Sequence, residues 1–219
     1  MPDAKPGYLA ADSYTVSKQL KNLNVGYIPI AFKDNSGNVV LTAKKGGIGR
    51  HAVLTDPKGK EVGYIQKKGI TLGLKSTYLF FEGQSNQIGQ VVIRSGLTGL
   101  SETMQLQDPK GGLVATATGN FMGFSFEIYS ADGSKTLARI SRDAKTPQEE
   151  GGKLTGLLKA AASTAMSLTM GSYRIEILEK SINDMSRLFI LELVVVLDGM
   201  YQTRSSMANP GFGAGMGGI

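Results

Sequence analysis

The stretch NDMSRLFILELVVVLDGMY, Asn183–Tyr201, decides how the rest of the chain must be arranged. From Leu188 to Leu197 it is apolar except for Glu192, so no polar face remains for water. A helix that is hydrophobic all round is buried in protein or in a membrane. The run is too short for an ordinary membrane span, which takes about 20 apolar residues. At ~1.5 Å per residue, Met185–Leu197 makes a rod of roughly 20 Å, a length suited to the inside of one domain. Ser181 and Asp184 have the spacing of a capping box, and Asn183 is itself a good cap. Gly199 stands where a C′ glycine stops a helix. These signals set a central helix at 185–198, with Leu188, Phe189, Leu191, Leu193, Val195 and Val196 as its core positions. The alternative is a buried strand, because Val194, Val195 and Val196 are β-branched and periodicity does not separate the two. Length and end signals favour the helix, and a helix of this kind must be wrapped on every side.

The chain ahead of it supplies a wrapping. Tyr14–Leu20 alternates like a first strand. A strand–turn–strand pattern then recurs five times, at Ile28–Leu41, His51–Ile65, Tyr78–Arg94, Thr103–Thr116 and Phe124–Arg142. Aromatic and β-branched residues precede turns such as Asp34-Asn-Ser-Gly37, Asp56-Pro-Lys-Gly59 and Asp108-Pro-Lys-Gly111. Asp and Asn bond back to the backbone in such turns, and Gly supplies positive φ. Hairpins at this spacing predict an antiparallel barrel or sandwich built as a meander. The repeated Asp-x-x-Gly is read as turn chemistry, because a calcium loop needs further carboxylates at alternate positions.

Residues 143–152 are polar and turn-rich. Leu154–Leu168 carries Leu154, Leu157, Leu158, Ala161, Ala165 and Leu168 at helical spacing. The 143–172 segment therefore reads as a loop plus amphipathic helix, packed on the barrel or, in the alternative, lying on a membrane surface. Tyr173–Lys180 alternates as a half-buried strand that leads straight into the apolar helix. Residues 1–13 read as a flexible leader, 14–202 as the domain, and 203–219 as a disordered Gly-rich tail.

The 219 residues are enough for one sizeable core, as one domain or two. The chain has no cysteine, which removes disulfides, thiolate catalysis and palmitoylation. A cytoplasmic location fits, and no secretory signal is read at the N-terminus. No nucleophile elbow, Walker loop or His-Glu-x-x-His motif occurs, so no catalytic residue, metal site or cofactor is assigned. The single histidine, His51, is read as structural. Glu192 is expected to reach Arg187, a loop amide or water; the alternative is an ion site with Asp184 or Asp198. The formal net charge of +6 suits an acidic partner. Lys44, Lys45, Arg50, Lys67, Lys68, Lys75 and Arg94 cluster near predicted strand ends, where they can form one positive rim able to hold phosphates. Nucleic acid is not expected, since no aromatic-plus-basic binding motif is present.

The order of these elements resembles the tubby-like C-terminal superfamily, and within it the LURP-one-related and phospholipid scramblase branch. The resemblance is carried by the Asp-x-x-Gly turns, by Ile128-Tyr-Ser-Ala-Asp132-Gly133 and Ala138-Arg-Ile-Ser-Arg142, and above all by Leu188–Tyr201. It covers roughly residues 14–202 and implies a closed antiparallel barrel of about twelve strands around the C-terminal helix. It also implies a non-enzymatic module that binds phospholipid or phosphoinositide head groups at a membrane surface through the basic rim. Two alternatives stand beside it: a scaffold subunit contacting proteins through 154–168 and the tail, and a calcium-activated scramblase. The scramblases' cysteine cluster and proline-rich leader are absent from this sequence.

Overall fold

The computed structural model describes residues 6–18, 29–45, 51–68, 75–95, 101–120, 124–142 and 172–208. The strands are β1 (Ser13–Lys18), β2 (Ile30–Lys33), β3 (Val39–Lys45), β4 (Ala52–Thr55), β5 (Glu61–Lys68) and β6 (Lys75–Glu82). They continue with β7 (Asn86–Ser95), β8 (Ser101–Gln107), β9 (Leu113–Asn120), β10 (Ser125–Ser130), β11 (Thr136–Arg142) and β12 (Tyr173–Ile177). Each pairs antiparallel with its sequence neighbour, and β12 pairs with β1, so the sheet closes into a barrel. Closure leaves no exposed strand edge. One helix, α1 (Asp184–Ala208), follows β12. The closed barrel and its C-terminal helix agree with the sequence reading.

Alternation sorts the side chains. Leu41 and Ala43 on β3, Phe80 on β6, Ile93 on β7, Phe126 and Ile128 on β10 and Ile175 on β12 are buried, and they form one core with α1. From Leu188 to Leu197 every residue of the helix is at most 4% exposed, Glu192 included. The wall makes room where the helix comes closest. A Cβ on Gly89 would stand 2.8 Å from the Phe189 ring, and one on Gly63 would stand 2.6 Å from a Glu192 carboxylate oxygen.

The hairpin turns gather at one end of the barrel. Asp56 shows their chemistry: its Oδ1 accepts the Lys58 and Lys60 N–H groups, both at 2.9 Å, and Gly59 closes the turn at φ +82°. Asp108 repeats the arrangement with Lys110 and Gly112. Backbone donors occupy these carboxylates, as a turn reading requires. The other end is where β1, β3, β5, β7, β9 and β11 finish and α1 leaves; we call it the rim.

Four expectations change. Residues 6–12 are not a loose leader: Gly7–Leu9 is a short 3-10 turn, Leu9 is buried, and the Tyr14 hydroxyl donates to Tyr8 O at 3.0 Å. Burial pushes the Tyr14 phenol up to about 12. The helix cap is Asn183, whose Oδ1 accepts the Ser186 N–H at 2.8 Å, while Ser181 is engaged by Glu179. The helix does not stop at Gly199; it runs on to Ala208 and takes in residues expected in the Gly-rich tail. Glu192 reaches neither Arg187 nor another partner, and both its oxygens are buried without a hydrogen bond. The proposed 154–168 helix and residues 209–219 lie outside the described residues.

Candidate anion-binding rim

Topology turns the scattered lysines into one arc. β3, β4, β5, β6 and β7 are consecutive in the barrel. Lys44 and Lys45 end β3 opposite Val53 and Ala52 on β4. Lys67 and Lys68 end β5 opposite Tyr78 and Thr77 on β6. Lys75 begins β6 directly across from Arg94 on β7. Lys44, Lys67, Lys68, Lys75 and Arg94 are exposed, and among the described residues none of these five forms an ion pair. Arg50 lies outside the described residues.

Acidic residues follow the opposite rule. Between residues 29 and 95 they are Asp34, Asp56, Glu61 and Glu82, and every one sits at or beside a hairpin turn. Turns need side-chain acceptors, so the acids collect at the turn end. The rim of β3–β7 is left with basic residues alone among those described. This separation depends on strand direction and could not be read from composition.

At the inner lip of the rim lies a small aromatic group. The Lys67 ammonium is 5.8 Å from the centre of the Tyr78 ring, within the range of a cation–π contact. His51 packs edge-on against the same ring at 5.3 Å. Burial, with the Lys67 charge as a second cause, holds the His51 imidazole below its ordinary value. His51 thus has the structural packing that its isolation in the sequence suggested.

Of the further basic residues at this end, Arg142 finishes β11, and Arg174 and Lys18 are engaged by acids. Arg174 pairs with Glu176 at 3.0 Å. Lys18, whose side chain is 2% exposed, lies 3.4 Å from Asp198 on the helix, and the Tyr173 hydroxyl donates to the same carboxylate at 2.8 Å. At the turn end Arg187 donates to Leu9 O, Ala11 O, Asp12 Oδ1 and Lys180 O at 2.9–3.4 Å. Arg187 and Asp198 are eleven residues apart, close to three helical turns, so they share one helix face. That face meets the seam between β1 and β12. The suggested ion site of Glu192 with Asp184 or Asp198 is not formed, since Asp184 begins the helix about two turns before Glu192 and Asp198 is bound to Tyr173 and Lys18. Among the described residues no group of three or more His, Asp or Glu is placed to hold a metal ion, and no helix is long and apolar enough to cross a membrane.

The model of the LURP-one-related family matches residues 13–198, from the start of β1 to the Asp198 that fastens the helix to the seam. The chain belongs to the LURP-one-related family. A crystal structure of a protein from Arabidopsis thaliana has a similar fold, with a TM-score of 0.53 at 17% identity, over 89% of this chain and 95% of that one. No curated protein matches the chain. The family's tubby-like barrel is thus the frame on which this LURP-one-related rim is built, and the matched span contains every rim lysine.

Proposed function

We propose that this LURP-one-related barrel is a non-enzymatic module that binds anionic phospholipid head groups at a membrane surface through Lys44, Lys45, Lys67, Lys68, Lys75 and Arg94. The observation that carries the reading is that, among the described residues of β3–β7, the charged residues of the rim are all basic while the acids, in company with Lys58 and Lys60, sit at the turns. A basic residue near an anionic leaflet is worth about 1 kcal/mol, so an arc of this size gives reversible peripheral attachment without an inserted segment. Lys44, Lys68 and Lys75 are exposed and form no ion pair among the described residues, so they need break none to engage phosphate. Co-sedimentation with phosphatidylcholine vesicles, with and without phosphatidylserine, tests it. Binding is expected only to the anionic vesicles, and reversing Lys67, Lys68 and Lys75 to Glu removes it while leaving the melting temperature unchanged. Equal, negligible binding to both vesicle types rejects the proposal.

A second reading, a scaffold subunit of a protein assembly, draws on the opposite end. Val39, Leu113, Val114, Leu178 and Met185 are the exposed large apolar side chains among the described residues, and all lie at or near the turn end. Light scattering with a pull-down separates the readings: a clean monomer without partners counts against the scaffold.

A further inference from the structure

We infer, resting on the head-group reading above, that His51 is the proton-linked member of the rim: an anionic phosphate group bound at Lys67 draws a proton onto the His51 imidazole. The geometry is a relay of contacts across the inner lip. Tyr78 is shared, with the Lys67 ammonium 5.8 Å from its ring centre and the His51 ring at its edge. The His51 backbone N–H donates to Ile65 O at 2.7 Å, which ties the residue to the strand that ends in Lys67. Its Nε2 is buried without a hydrogen-bond partner and faces α1, where a Cβ on Gly199 would stand only 3.2 Å away.

The groups around His51 determine how it responds. From β5 comes Lys67, a cation. From β6 comes Tyr78, whose phenol burial pushes upward and so keeps neutral near physiological pH. The helix offers the uncharged Gly199, and the neighbouring Asp198 is taken up by Lys18 and Tyr173. Lys45 of β3 pairs in register with Ala52, the residue after His51. In the free protein His51 is therefore held neutral by burial first and by Lys67 second. An anion on Lys67 cancels the second cause and adds an attractive charge nearby. The bound protein then holds its His51 proton more tightly than the free one. By linkage, binding strengthens as pH falls through the bound-state value of His51, and is pH-independent well above it.

His51 is the only histidine in the chain, so its ring-proton resonances are identified without assignment. They are titrated by NMR in the free protein, with glycerophosphoserine (the soluble head group), and with short-chain phosphatidylserine. Both ligands carry a phosphodiester whose own charge is constant across the range. The His51 midpoint is expected to rise with ligand. A rise with both shows that the head group suffices, and a rise with the lipid alone shows that the acyl surface is needed. An unmoved midpoint at saturating ligand overturns the inference and leaves the head-group reading standing. In vesicle sedimentation, wild-type protein is expected to bind about fivefold more tightly at about pH 5.5 than at about pH 7.5. The folded His51→Gln variant should bind like wild type at the higher pH and lose the difference. Retention of the full pH dependence in that variant also overturns the inference. Failure of wild-type protein to bind at either pH rejects the head-group reading itself, and with it the role of His51.

Discussion

Glu192 is an acid in a place where its ionised form has nothing to hold it. The side chain is fully buried, neither oxygen has a partner, and one oxygen lies against the backbone of Gly63. Burial drives its carboxyl well above the ordinary glutamate value, and Glu82 adds to the rise. The folded state therefore holds this proton more tightly than the unfolded state, so stability falls as pH climbs from the ordinary glutamate value towards the folded one. Urea denaturation at a series of pH values should show that fall in the wild type and lose it in Glu192→Gln. Glu192→Met should stabilise by about 1–3 kcal/mol, because it removes a buried group without a partner. An unchanged pH slope in Glu192→Gln would mean that another group sets it. The sequence showed a single acid in an apolar run, but not what the wall would set opposite it. That a glycine backbone lies there, rather than a partner, is a property of register.

α1 is fixed to the barrel at both ends of one line. Arg187 joins the chain just before β1 to the chain just after β12, and Asp198 joins Lys18 at the end of β1 to Tyr173 at the start of β12. The helix thus fastens the seam where the first and last strands meet, over a short register of Ser13–Val16 with Tyr173–Glu176. Asp198→Asn leaves the Lys18 charge buried without its counter-ion, and a broken buried pair costs about 3–5 kcal/mol. Hydrogen exchange in this variant should rise first at β1 and β12, ahead of β6 and β7. A uniform rise would deny the seam any special standing. Gly89→Ala should also destabilise, by about 1–3 kcal/mol in thermal denaturation, since the new Cβ meets Phe189 and Gln107 O within 3 Å. The hairpins were legible because turn chemistry and alternation are local. The end of the helix was not. Gly199 looks like a terminator, yet here the missing Cβ serves the close approach of His51, which is a tertiary requirement.

Around the barrel, the stretch β3–β7 confines its acids to the turn end and leaves only basic residues among the described charged residues of its rim. β3, β5 and β7, which each leave a turn, carry basic residues at their far ends, and the barrel sets those ends along one arc. Attachment that rests on such an arc is screened by salt, so vesicle binding should weaken steeply between about 50 mM and about 300 mM salt. Binding that is indifferent to salt would point away from the rim. The rim lysines were visible in the sequence as a cluster near strand ends; their freedom from acids required the topology. The order of elements has one more effect, on how the molecule is made. The helix that fills the barrel follows all twelve strands in the chain. During synthesis the wall therefore emerges before anything exists for it to enclose, and its apolar face stays wet until α1 appears. Early strand pairs cannot be rewarded by a core, so folding is deferred until the last element is present, and the growing chain depends on being shielded meanwhile. A chain cut before Asp184 should be insoluble when expressed, and co-expression of residues 181–208 as a separate segment should recover soluble barrel.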